Sequence, residues 1–370
     1  MGIDEICRVM KFMCSIDIVR MGLLWTLSLV RSYLHLFFAG RFWGKKCSAY
    51  SRQKVTPMSD SQPPVCIVTG ATSGLGAAAA LALSKEGFFV ILVGRSGYSL
   101  SKTMAEIRKF NENVQLEAFE VDLSSFASIM EFKESIKQWL FDMNLHPSIQ
   151  LLINNAGILA TSSRVTTHGF DEMMMTNYMG AFSLTQLLLP LLFNSPVQSR
   201  IVNVSSFTHR CVNDVHVDTD FVCGKSIVNT KKYPFARLYE YSKLYILFFS
   251  YKLHQHILSI DKASQLSVNV ADPGAVKTKI MRELPSSLSQ LAFSILIPMQ
   301  LLQFPEEGVS SILDASLAPS GISGMYFFGG NGRTMNSSPL SHDAKLAEKL
   351  WETSCHLFSE LKSSDEKTAT

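Results

Sequence analysis

Formal charge is scarce in this 370-residue chain: Lys and Arg number 34, Asp and Glu 31, and charged residues make up 18%. The net of +3 comes with no basic cluster interleaved with aromatics, which excludes the electrostatic footprint of a nucleic-acid binder. Metal-ligand spacing is missing too. The seven cysteines (Cys7, Cys14, Cys47, Cys66, Cys211, Cys223, Cys355) stand apart with no C-x-x-C. Their odd count, with Cys66 inside an apolar run, reads as reduced thiols in a cytosol-facing domain, so neither a disulfide scaffold nor a metal is expected. A Cys211–Cys223 bridge is the minor alternative. Repeats and low-complexity tracts are absent, and the length suits one large domain with extensions. A cleaved signal peptide fits poorly, because Asp4 and Glu5 come early and no small-residue cleavage site is clear. Myristoylation at Gly2 is disfavoured by Ile6, which occupies the position that wants Ser or Thr.

What the N-terminus does have is an apolar stretch, Met21–Gly40, close to the ~20 residues a membrane helix needs. Arg31 and His35 interrupt it. At about 100° per residue, Arg20, Ser28, Arg31, Ser32 and His35 share one sector, with Leu24 and Phe38 intruding. An in-plane membrane helix and a true span are both open readings, and a helix docked on the domain itself is a third. Arg41, Lys45, Lys46, Arg52 and Lys54 follow, so a span leaves the remainder of the chain cytoplasmic. The expected division is a membrane-associated segment over 1–43 with its helix at about 21–40, a polar linker over 44–62, the main domain over 63–335 and a C-terminal helical extension over 336–370.

Val65-Cys66-Ile67-Val68 has the composition of a buried strand. It runs into Thr69-Gly70-Ala71-Thr72-Ser73-Gly74-Leu75-Gly76 and then an alanine-rich helix. Strand, Gly-rich turn and helix start make a dinucleotide-binding turn: glycines let backbone approach a pyrophosphate, and the helix N-terminus offers free N–H groups. The spacing here is G-x3-G-x-G. Four more strand signals follow: Phe88–Val93 before Gly94-Arg95, Leu116–Val121 before Asp122-Leu123, Gln150–Ile153 before Asn154–Gly157, and Arg200–Val204 before Ser205-Ser206. Helical stretches between them predict an α/β class, a doubly wound, Rossmann-type fold with a mostly parallel sheet and polar residues at the strands' carboxyl ends.

Tyr239 and Lys243 stand four apart, one above the other on a predicted helix. Tyrosine titrates near ~10, and an adjacent ammonium favours the phenolate, so this pairing can make a phenol a proton donor and acceptor. Tyr241 lacks the four-residue spacing to Lys243 and reads as a packing or pocket residue.

Together these residues resemble the short-chain dehydrogenase/reductase family. Thr69–Gly76, Asp122-Leu123, Asn154–Gly157, Asn177, Ser206, Tyr239, Lys243, Asp272-Pro273-Gly274 and Thr278 occur in family order over roughly 63–335. Gly169-Phe170-Asp171, Asn177-Tyr178-Met179-Gly180, Leu184-Thr185 and Ser242-Lys243-Leu244 are similar to the retinol dehydrogenase-like branch, including its polyprenol-oxidising and plant members. The resemblance implies a catalytic set of Asn177, Ser206, Tyr239 and Lys243. Tyr239 is then the acid in carbonyl reduction and the base in alcohol oxidation, and Lys243 lowers its pKa and holds the nicotinamide ribose. Ser206 binds the substrate oxygen, Asn177 positions a water that links Lys243 to solvent, and Ser205 serves the structure. It also implies cofactor contacts from Gly70, Thr72, Ser73, Gly74, Leu75, Gly76, Arg95, Asp122, Leu123, Asn155, Ala156, Gly157, Tyr239, Lys243, Pro273, Gly274 and Thr278. Asp122 would contact the adenine, with a plain strand cap as its other reading.

Arg95 at the end of the second strand can pair with a ribose 2′-phosphate, and no Asp or Glu lies between Phe88 and Met104. NADP(H) is therefore the expected cofactor, with NAD(H) the alternative; Ser73 withholds support, since many NADP-using relatives carry a basic residue there. The insertion Phe207–Leu238, with His209 and His216, reads as a surface loop. Leu284–Phe304 takes the family's substrate-lid position and is apolar nearly all round, so it either buries or faces lipid. The expected function is an oxidoreductase acting on CH–OH groups of a lipophilic alcohol or its carbonyl (retinoid, prenyl or sterol-like), attached to the endoplasmic reticulum membrane and facing the cytosol. Its partners are the substrate and membrane lipids, with a homo-oligomer left open and no nucleic acid. A cofactor-binding scaffold with little turnover, or a porphyrin-type reductase, is the alternative.

Overall fold

Runs of apolar residues that cannot be left in water dictate the sheet. β1 (Val65–Thr69), β2 (Phe89–Gly94), β4 (Leu151–Asn154), β5 (Ser199–Val204) and β6 (Leu266–Asp272) are buried at every position, as strands covered on both faces must be. β3 (Leu116–Glu120) is only partly covered and forms one edge; the short β7 (Tyr326–Phe328) forms the other. The order is β3-β2-β1-β4-β5-β6-β7, and every neighbouring pair is parallel. The computed structural model describes residues 15–42, 48–58, 62–228, 232–260 and 265–368.

Crossover helices cover both faces. α2 (Gly74–Lys85), α3 (Gly97–Phe110) and α8 (Ser310–Ser316) pack on one side, where Ala79, Ala80, Leu83, Leu100 and Ile312 meet Val68, Val90 and Leu92. α4 (Phe126–Asp142), α5 (Gly180–Phe193) and α6 (Phe235–Ile260) pack on the other. Between β1 and β4 the strand order reverses, which opens a crevice at the carboxyl ends. The fold is thus the expected Rossmann-type α/β fold, with its sheet wholly parallel.

The terminal segments are built into this body. α9 (Ala344–Thr368) lies on α6, with Trp351 stacked on Phe249 and Ser354 bonded to the Tyr178 hydroxyl at 2.7 Å. Part of the expected linker is pinned to the domain: Tyr50 N–H donates to the Gly332 carbonyl at 3.0 Å, and Arg52 pairs with Asp314 at 2.7 Å. The signals read at Gly2, Asp4, Glu5 and Ile6, the cysteines Cys7, Cys14 and Cys47, and Lys45 and Lys46 lie outside the described residues. Cys211 and Cys223 are both free thiols.

α1 (Ile16–Phe42) is longer than the 21–40 expected, and its first 23 residues are long and apolar enough to cross a membrane by length and composition. It lies along the domain. Ile18, Met21, Ser28, Leu29, Ser32 and Leu36 are buried, while Val19, Leu23, Leu27, Leu34, Phe37 and Phe38 are exposed. Most of the polar sector read from the sequence therefore faces protein. Arg20 and Ser28 bond to it, and only Arg31 points outward.

Candidate active site

The Gly-rich turn is fixed by the strand beside it. Thr69 Oγ1 accepts the N–H groups of Asn155 and Ala156, each at 3.0 Å, and Asn155 Nδ2 donates to the Thr69 carbonyl at 2.8 Å. Only glycine fits at position 76, where a Cβ would stand 2.2 Å from the Gly70 carbonyl oxygen. Gly70 and Gly74 have left-handed φ of 66° and 55°, which costs glycine little. Ser73, the residue before α2, makes no side-chain capping bond, so the first N–H groups of α2 face the crevice as a ready anion site.

The second cluster comes from β5 and α6. Ser206 follows β5, and α6 lays Tyr239 and Lys243 one turn apart beside it. Ser206 and Tyr239 line the same cavity, and Lys243 Nζ lies 5.6 Å from the Tyr239 ring centroid while donating to the Val204 carbonyl at 3.0 Å. Ser205 Oγ donates to the Lys243 carbonyl at 2.8 Å, a structural bond. Tyr241 packs on Phe221 away from this cluster. Burial is the largest influence on both titrating groups. It raises Tyr239 well above the usual phenol value, with Asp272 adding to the rise, and it lowers Lys243 to about 8 against the opposing pull of Asp272. Asp272 is itself pushed up to about 6 by burial, although it accepts bonds from the Tyr326 hydroxyl and the Gly274 N–H.

A single cavity of about 620 Å³ joins the two clusters. Of the residues singled out in the sequence, Gly70, Thr72, Ser73, Gly74, Leu75, Gly76, Arg95, Leu123, Asn155, Ala156, Gly157, Ser206, Tyr239, Lys243, Pro273, Gly274 and Thr278 all line it. Asp122 does not. Its carboxylate accepts from the Ser124 N–H and hydroxyl at 2.9 and 2.7 Å, the strand-cap alternative. Asn177 lies just behind the wall, in the π-helical turn Met175–Met179; its amide clamps both the N–H and the carbonyl of Ile158, at 2.8 and 2.9 Å. A Cβ on Gly157 would sit 3.4 Å from Asn177 Oδ1 and 3.5 Å from Lys243 Nζ, so these three positions adjoin. Arg95 is half-exposed and 3.3 Å from Glu172.

Sequence reading missed two contributions. His209 is not in a surface loop: it is fully buried, its Nδ1 2.6 Å from the Ser206 carbonyl and its Nε2 accepting the Ser338 N–H at 3.0 Å. That bonding requires the neutral ring, and burial holds its pKa well below the ordinary histidine value. The second is α1, which puts Ile18, Met21, Gly22, Trp25, Thr26 and Leu29 on the cavity wall opposite α7 (Ser286–Leu296). α7 contributes Leu288, Ala292, Phe293 and Leu296, while Ile295 and the following Ile297, Met299 and Phe304 are exposed. Burial and outward exposure thus divide the lid segment between them.

The donor set fits a dinucleotide: an uncapped helix N-terminus beside a glycine turn, with a cation at the end of β2 and a Tyr/Lys pair beyond. Comparison with known proteins agrees. The profile of the family described as short chain dehydrogenase matches residues 64–214. Human polyprenol dehydrogenase is 33% identical over 298 residues, covering 79% of this chain and 84% of that protein. Human retinol dehydrogenase 13 is 31% identical, covering 79% and 83%. Among solved structures, an uncharacterized protein from Mycobacterium paratuberculosis superposes with a TM-score of 0.60 at 24% identity, covering 84% of this chain and 98% of that one. With these relatives and this sheet, turn and Tyr/Lys helix, the chain belongs to the short-chain dehydrogenase/reductase family of NAD(P)-dependent oxidoreductases.

Proposed function

We propose that this protein is a membrane-attached, NADP(H)-preferring enzyme that interconverts a lipophilic alcohol and its aldehyde or ketone, with Tyr239 as acid and base. The observation that carries this reading is the continuity of the cavity. It runs from the Gly-rich turn, past Ser206, Tyr239 and Lys243, to an apolar wall made by α1 and α7. Human relatives named for polyprenol and retinol oxidation support a long apolar substrate.

Bound NADP(H) would supply or accept the hydride, held by Gly70–Gly76, Asn155–Gly157, Lys243 and Pro273–Thr278, with Arg95 pairing the 2′-phosphate. The remaining chemistry belongs to the chain. In carbonyl reduction negative charge develops on the substrate oxygen, and the Ser206 and Tyr239 hydroxyls, both on the cavity wall, would receive it. Tyr239 gives up its proton; its raised pKa keeps it in the donor form at neutral pH. Lys243, charged below about 8, stabilises the phenolate that remains. Asn177 fixes the Ile158 backbone beside Lys243, and a water held there would return the proton from solvent. His209 holds the Ser206 main chain in place.

Apolar side chains that the domain leaves uncovered support attachment to the membrane. Val19, Leu23, Leu27, Leu34 and Phe37 on α1, Ile295 on α7, and Ile297, Met299 and Phe304 after it are exposed on the two segments that flank the cavity. An in-plane helix would sink these groups into the interface of a cytosol-facing bilayer, for which the endoplasmic reticulum is the expected membrane. The test is NADPH oxidation by the detergent-solubilised protein against retinoid, prenyl and steroid carbonyls. Turnover on one lipid class is expected. Tight NADPH binding with no turnover on any of them favours a cofactor-binding scaffold instead.

A further inference from the structure

The residue after Tyr239 is a carboxylate that solvent barely reaches. Glu240 is 1% exposed. A charge so placed is costly unless paired and hydrogen-bonded. Its partners come from α1: Arg20 Nη1 and Nη2 donate to its two oxygens at 3.1 and 2.9 Å, and Trp25 Nε1 donates at 2.8 Å. The same Trp25 ring lies 5.6 Å from the Tyr239 ring and lines the cavity. One turn before it, Gly22 also lines the cavity, and a Cβ built there meets nothing within 4 Å. Further along, Ser28 Oγ donates to the Phe207 carbonyl at 2.7 Å, and the Tyr33 hydroxyl accepts from Gln303 Nε2 at 2.8 Å. The helix is therefore tied at three levels to the elements that carry Ser206, Tyr239 and the segment after α7.

We propose that α1, latched by the Arg20–Glu240 pair, is a specificity-determining wall of the substrate site: Trp25 bounds the cavity beside Tyr239, and the missing side chain at Gly22 leaves the opening through which a substrate's apolar chain extends. A helix with the length and composition of a membrane anchor is in this protein part of the reacting cavity. Filling the opening should obstruct long chains while leaving the fold intact or firmer. The proposal rests on the reading that this cavity reduces a lipophilic carbonyl.

The experiment compares Gly22→Leu and Trp25→Ala with the unaltered full-length protein in detergent. Its readouts are kcat/KM for prenal and for its longer homologue farnesal, equilibrium binding of farnesol, and NADPH affinity. Gly22→Leu is expected to lower the farnesal-to-prenal ratio by about tenfold or more, the scale of one or two misplaced methylenes, and to weaken farnesol binding. Trp25→Ala should move the ratio by a similar factor through lost definition of the cavity, and NADPH affinity should hold in both variants. A ratio unchanged in Gly22→Leu, with NADPH binding intact, overturns the assignment of α1. If the unaltered protein reduces neither aldehyde, the functional reading fails separately. Farnesol binding then decides the wall: weaker binding to Gly22→Leu sustains it, and equal binding overturns it.

Discussion

At the residue scale, the proposed NADP(H) preference turns on one side chain, Arg95. The guanidinium stands half-exposed at the cavity's edge, with Glu172 at 3.3 Å. Charge-assisted hydrogen bonds contribute about 1.5–3 kcal/mol, so Arg95→Ala should raise the NADPH dissociation constant by about tenfold or more. NADH, which lacks the 2′-phosphate, should bind as before; fluorescence titration with both cofactors reads the difference. Under the proposed mechanism Lys243 should set a pH limit. Burial lowers it from 10.5 to about 8, so its charge is lost as pH rises through about 8. Carbonyl reduction should therefore be level at neutral pH and fall above about 8, whereas an unperturbed lysine would place the fall near ~10.4. A pH profile of kcat/KM at saturating NADPH checks this.

Elements differ in how far the sequence reveals them. β1, the glycine turn and α2 are local: a β-branched run, three glycines and an alanine-rich stretch specify backbone geometry within twenty residues or so of one another, and they fold as read. Lys243 and Tyr239 are equally plain, because four residues is one helical turn. α1 is not, because its latch joins residues 220 apart in sequence, and an isolated apolar stretch says nothing of what it packs against. Histidine near Ser206 misled for a similar reason: polar neighbours suggested a loop, but the ring's partners are backbone groups of Ser206 and Ser338. At Asp122 the carboxylate accepts from Ser124 two residues on, a local contact that a family pattern alone does not reveal. The latch itself makes a stability prediction. Arg20→Met strands the Glu240 carboxylate and should cost about 2–4 kcal/mol in chemical denaturation, while adding Glu240→Leu to it should recover much of that loss.

At the scale of the whole molecule, the proposed membrane attachment would join the cavity to lipid. Leu23 and Leu27 are each 59% exposed on the outer face of the helix whose inner face lines the site. Burying a leucine side chain contributes about 1.5–3 kcal/mol, so Leu23→Glu with Leu27→Glu should weaken flotation with phosphatidylcholine vesicles by about tenfold or more. NADPH affinity should not change, since neither residue lines the cavity.

The central claim is hydride transfer from bound NADPH to the carbonyl carbon with Tyr239 supplying the proton, and deuterium tests it most directly. NADPH deuterated at the transferring position is incubated with farnesal and either the unaltered protein or Tyr239→Phe, and the product alcohol is analysed by mass spectrometry. The account predicts deuterated farnesol from the unaltered protein and a rate lower by about 10²–10⁴ in Tyr239→Phe, with NADPH still bound. Absence of deuterium from the product, or equal rates in the two proteins, would contradict it.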